Sequence, residues 1–111
     1  MRDDKERLTD ILDSIKLLEI HLPQSRELHQ LNELEFMGIV RCIEIIGEAC
    51  RYLTDKFKSE HSEVPWREIA NMRNILAHQY FNVDEERIEK AVKSDIPKLK
   101  LRIEEILKNK I

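Results

Sequence analysis

A chain of 111 residues has room for one domain and none for a second core. Hydrophobic residues make up 41% and charged residues 37%, with 2 glycines, 3 prolines and 5% aromatics; this favours helices, and no alternating β-branched run predicts a half-buried strand. A formal net charge of −3 excludes a protein that gathers nucleic acid by overall positive charge, so any work on RNA must rest on a local cluster or a short encounter.

The first predicted helix runs from about Asp3 to Leu22. Leu8, Ile11, Leu12, Ile15, Leu18 and Leu22 share one face, Asp3 and Asp4 suit the positive end of the dipole, and Pro23 stops the helix. The charged start, Met1-Arg2-Asp3-Asp4-Lys5-Glu6, leads into this amphipathic helix. It predicts neither a signal peptide nor a membrane span, and hence a cytoplasmic protein. Gln24 to Leu31 reads as a polar connection with room for one helical turn after Ser25.

Asn32 with Glu35 three residues on forms a capping-box start. A second helix is expected to continue to about Ser59, some 40 Å, with Phe36, Val40, Ile43, Gly47, Cys50, Leu53 and Phe57 inward. Gly47 in its middle costs about 1 kcal/mol relative to Ala, which the close approach of another helix would explain. Cys42 and Cys50 lie two turns apart, roughly 12 Å, too far for a disulfide within one helix. They read as small buried hydrophobes of a reducing compartment.

Pro65 opens a third helix, expected to reach Tyr80, with Trp66 as its anchor to the core. Asn82-Val83-Asp84 reads as a break, with Asp84 capping the last helix. That helix turns Ile88, Ala91, Val92, Ile96, Leu99, Ile103, Ile106 and Leu107 inward, with Pro97 kinking it. The predicted architecture is an all-α, up-down four-helix bundle spanning residues 1–111.

Chemistry concentrates in the third helix. With Arg73 set at zero and about 100° per residue, Ile69, Met72 and Leu76 form an apolar stripe, with Arg73 and Tyr80 at its rim. Asn74 and His78 fall near 100° and 140°, on a polar flank. A guanidinium grips a phosphate through two parallel hydrogen bonds and keeps its charge at any useful pH. An imidazole titrates near neutrality and can take the proton of a ribose 2′-OH or protonate a leaving 5′-oxygen. Together they suffice for RNA cleavage without a metal, although the angle between positions 73 and 78 is awkward within one helix. The plain alternative is a salt-bridging surface Arg and a capping His. Asn74 could bind a phosphate oxygen or support His78. Glu48 could orient Arg73 or His78 from the facing helix, or be a polar residue beside a close helix contact. His21, His29 and His61 have no ligand spacing, so no metal site and no cofactor are expected.

The stretch from Pro65 to Phe81, PWREIANMRNILAHQYF, resembles the signature of HepT-like HEPN proteins, whose motif is Arg-x4-His-x-Tyr; Arg73, His78 and Tyr80 fill its fixed places. Arg7-Leu8-x-Asp10-Ile11-Leu12, Ile45-Ile46-Gly47-Glu48-Ala49 and Asp95-Ile96-Pro97-Lys98-Leu99 match other family segments in order. One departure is Arg87-Ile88, where many relatives carry a Trp. The resemblance implies a homodimer whose two motif helices face each other across a cleft. It also implies metal-independent endoribonuclease activity in the toxin of a toxin–antitoxin pair. The implied antitoxin is a minimal nucleotidyltransferase (MNT) that transfers AMP to Tyr80. The rival expectation is a non-enzymatic HEPN subunit that binds and assists such a nucleotidyltransferase.

Overall fold

Asp3 stands just outside the first helix and accepts the Glu6 N–H at 2.8 Å, while the Glu6 carboxylate accepts the Asp3 N–H in return. This reciprocal cap satisfies two donors a helix start leaves open, and α1 then runs over Asp4–His21. The computed structural model describes residues 2–78 and 85–109, and the side chains of all of these except 73–78 and 85. The expected break at Asn82-Val83-Asp84, with its Asp84 cap, and the end of the third helix at Tyr80 lie outside the described residues.

After Pro23 the chain makes a single 3-10 turn, Leu28–Gln30, with Leu28 buried beneath it. Arg26 organises this connection: its guanidinium holds Glu35 in a two-pronged pair at 2.7 and 2.9 Å and also donates to the carbonyls of His21 and Gln30. The same hydrogen bonds hold the Glu35 carboxyl below its ordinary range. Glu35 also closes the expected capping box with Asn32, so one carboxylate fixes both the loop and the start of α2, Glu33–Tyr52.

The second helix stops earlier than expected. Its 20 residues are followed by extended backbone at Leu53 (ψ 145°), and a separate short helix α3 spans Asp55–Glu60. The cause is Thr54, whose hydroxyl accepts the Phe57 N–H and donates to Asp4, while its own N–H goes to the other Asp4 oxygen. Leu53 and Phe57 are buried on either side of the break, as expected of both. The inward face of α2 also centres elsewhere than expected. Ile39, Cys42, Ile43, Ile46, Gly47, Ala49 and Cys50 are buried, while Phe36 and Val40 only flank the core.

Both cysteines are free and buried as expected, and burial pushes the Cys50 thiol up to about 12. The last helix is three pieces: α5 over Glu85–Lys90, a π turn over Ala91–Asp95, and α6 over Ile96–Asn109. Pro97 has no N–H, and its ring crowds the carbonyl four residues earlier. The chain widens there instead, with the Ile96 N–H reaching back to Ala91, so the expected disturbance at Pro97 takes the form of a π turn just upstream. Lys93 in this turn donates to the carbonyls of Pro23, Gln24 and Arg26 at 2.6–3.2 Å, tying the first connection to the last helix.

Cross-links at the ends set the directions. Asp4 meets Thr54 at one end of α1, and Glu19 meets Lys100 at 2.9 Å near the other. Thus α1 runs against both α2 and α6, and α2 lies between α1 and the motif helix. The centre is a helical core with Ile11, Ile46, Cys50 and Ile103 fully excluded from solvent. The architecture is the expected all-helical bundle, 40 × 28 × 25 Å in extent. Among the described residues no helix is long and apolar enough to cross a membrane.

Candidate functional site

The motif helix α4, Trp66–His78, is pinned at its first residue. The Trp66 indole is buried, donates to the His61 carbonyl at 2.9 Å and stands 5.7 Å from the Phe57 ring, which bears out its expected role as an anchor. Pro65 directly precedes the helix and accepts the Ile69 N–H, so its lack of a donor costs nothing at this place.

This anchoring decides which side of α4 faces inward. Trp66 and Ile69 are buried, and Ala70 and Met72 pack against the core. On a regular helix Trp66 falls about 20° from position 73, and Ile69 and Ala70 within about 60° on either side. Position 73 therefore shares the inward half of the helix with them. Arg67, Glu68 and Asn71 are exposed, and positions 74 and 78 fall on that outward half, about 100° and 140° from 73.

The helix thus carries Arg73, Asn74 and His78 in its second half, but it presents 73 and 78 to different sides. Their side chains, like all of Tyr80, lie outside what the structure describes. Glu48 sits on α2, the helix that packs most extensively on α4. It is half-buried and lies about 160° around α2 from the central core residue Ile46. It makes no ion pair with another described residue.

An open cleft of about 690 Å³ runs between α4 and the α5–α6 segment. Ile43, Ile69, Met72 and Leu99 line its floor, Lys90, Lys98 and Arg102 stand on the α5–α6 wall, and Glu68 stands on the α4 wall. Ile88 is buried in this wall, in keeping with a structural place for the Arg87-Ile88 departure. The α4 residues of the cleft centre on a different side of the helix from positions 74 and 78, with Asn71 at the boundary. Sequence patterning did not anticipate the cleft, because its walls come from segments about thirty residues apart. Nor did it single out Arg67 and Asn71, which share the outward face with 74 and 78.

Comparison with known proteins places this geometry in context. The family described as Ribonuclease HepT-like matches residues 11–106. A protein of Thermococcus cleftensis named "Probable ribonuclease HepT" is 40% identical over 111 residues, covering 96% of this chain and 98% of that one. A protein of Methanocaldococcus jannaschii named "Putative RNase MJ1380" is 38% identical over 105 residues, covering 93% and 95%. No solved structure shows a significant match.

Proposed function

Given that the chain belongs to the HepT-like ribonuclease family, we propose that it is a metal-independent endoribonuclease, the toxin of a toxin–antitoxin pair. The observation that carries this reading is the unbroken α4 through His78, which presents an Arg-x4-His pair from a helix whose other end is locked to the core. In the proposed reaction the ribose 2′-oxygen attacks the adjacent phosphorus and the P–O5′ bond breaks. The products are a 2′,3′-cyclic phosphate and a 5′-hydroxyl. A histidine takes the 2′-OH proton, and a protonated histidine supplies the 5′-oxygen. Arg73 holds the phosphate oxygens as charge builds on them. Asn74 and Glu48 serve as supporting groups, for the phosphate and for the motif residues respectively.

One chain offers one motif histidine and separates it from Arg73 by about 140° around the helix. A homodimer supplies a second Arg73 and His78, so two motif helices across a two-fold axis meet both needs. Uncovered apolar surface on α2 supports association: Leu34, Met37 and Tyr52 are 79%, 55% and 52% exposed and fall within about 60° of one another around the helix. Light scattering is expected to give twice the chain mass at micromolar concentration. A monomer that still cuts RNA would remove the composite site.

The partner in this reading is an MNT-type nucleotidyltransferase antitoxin that transfers AMP to Tyr80, and the compartment is the cytoplasm. The deciding experiment is incubation of purified, unmodified protein with single-stranded RNA. Cleavage fragments ending in cyclic phosphate are expected. Intact RNA would leave the non-enzymatic role, a subunit assisting the nucleotidyltransferase, as the better reading.

A further inference from the structure

Arg67 breaks a local rule. It occupies the first turn of α4, where the exposed N–H groups carry partial positive charge and a cation is disfavoured by about 0.3–1 kcal/mol. It is exposed and has no ion pair, hydrogen bond or ring contact among the described residues. The other arginines whose side chains the structure describes are engaged: Arg2 with Asp10, Arg26 with Glu35, Arg41 with Glu44, Arg102 with Glu105, and Arg7 and Arg51 against the Tyr52 ring. Arg87 also has a partner. The acid four residues before Arg67, Glu63, lies instead 3.8 Å from His61. A cation kept at the wrong end of a helix without a partner is the kind of local conflict that function explains.

Its register supplies the explanation. Positions 67, 71, 74 and 78 follow one another by four, three and four residues, so all fall within about 60° on the outward face of α4. The row Arg67, Asn71, Asn74, His78 is about 16 Å long and contains no acid; Glu68 is turned off it toward the cleft. Ala70, beside the row, leaves low relief along its edge. A chain with net charge −3 cannot collect RNA by its overall field, and a short local track is one way to do so.

We propose that this row is a docking track for single-stranded RNA, in which the Arg67 guanidinium binds a backbone phosphate a few nucleotides away from the bond cut at His78. Asn71 supplies hydrogen bonds between the two ends. The proposal rests on the ribonuclease reading and adds to it a reason for a substrate longer than the two nucleotides that flank the cut.

The test compares wild type, Arg67→Ala and Arg67→Lys on an unstructured eight-nucleotide RNA and on a dinucleotide. For Arg67→Ala, kcat/KM on the longer substrate is expected to fall about tenfold, through KM, so that the preference for the longer substrate collapses. The slope of log affinity against log salt, measured with labelled RNA on the cleavage-silent His78→Ala background, is expected to shrink by about 0.7 for one lost phosphate contact. Arg67→Lys restores the salt slope and part of the KM. The melting temperature of Arg67→Ala is expected to hold or rise, since a cation leaves the first turn. Unchanged length preference and salt slope in Arg67→Ala would overturn the track while wild-type cleavage still stood. Equal losses on both substrates would overturn it in favour of a structural role. Wild type that neither cuts nor binds RNA would overturn the track together with the ribonuclease reading.

Discussion

His78→Ala is expected to lower the rate of RNA cleavage by about 10²–10⁴-fold, the usual worth of a positioned acid or base, with little change in melting temperature. The position falls on the outward half of α4, the side on which Arg67 and Asn71 are exposed, so stability is expected to depend little on it. Arg73 requires a different comparison. Its register falls between buried Trp66 and Ile69, so Arg73→Ala is expected to test stability as well as charge. Arg73→Lys keeps the stem and the charge but loses the two-pronged grip on phosphate. A lysine variant that melts like wild type yet loses most activity would assign the defect to phosphate geometry. EDTA is expected to leave the wild-type rate unchanged. A reaction that stops in EDTA would refute the metal-independent mechanism, and His78→Ala cutting like wild type would move the chemistry elsewhere in the chain.

The elements that could be read from the residues are those whose signals are local. The Asn32–Glu35 capping box, the stop at Pro23 and the inward stripes of α1 and α6 each depend on residues within one or two turns. The interruption after Tyr52 depends on more than that. Thr54 caps the Phe57 N–H locally, but it is also held by Asp4 at the first residue of α1, and that contact has no local signal. Likewise, Pro97 announces a disturbance, but not that the chain absorbs it as a π turn with Lys93 reaching three carbonyls of the first connection. Such contacts link residues fifty to seventy positions apart, which no helical period encodes.

An Arg, an Asn and a His within six residues on one helix are a local pattern too, but by itself it fits a salt-bridging Arg and a capping His equally well, and it was the resemblance to HepT-like proteins that singled it out. The side of the bundle each position faces was less legible. Trp66 is buried at nearly the same angle as Arg73, which draws the inward half of α4 further round than the Ile69–Met72 stripe alone suggests. The same burial leaves Arg67, Asn71 and positions 74 and 78 together on the outward half. The partition of positions 73 and 78 between the inward and outward halves of α4 is therefore a product of the Trp66 anchor.

On the proposed pairing, co-expression with an MNT-type nucleotidyltransferase is expected to silence the protein by adding one or more AMP groups to Tyr80. The phenol oxygen would attack the α-phosphorus of ATP, pyrophosphate would leave, and the phenol proton would pass to solvent. Tyr80 follows His78 by two residues and Arg73 by seven, so the new phosphodiester would plant its negative charge at the motif end of the chain. An anion there competes with an RNA phosphate for Arg73 and repels the substrate backbone, as an added phosphate does beside an arginine elsewhere. Mass spectrometry is expected to find the AMP mass on a peptide containing Tyr80, together with loss of cleavage. Tyr80→Phe, which has no oxygen to accept the group, is expected to escape both the modification and the inhibition while keeping most of its activity. AMP found only on another residue, or complete inhibition with no added mass, would mean that the partner acts by covering the motif helix. Cleavage lost in unmodified Tyr80→Phe would instead make the hydroxyl part of the reaction, because the substitution removes one phenol oxygen and keeps the ring.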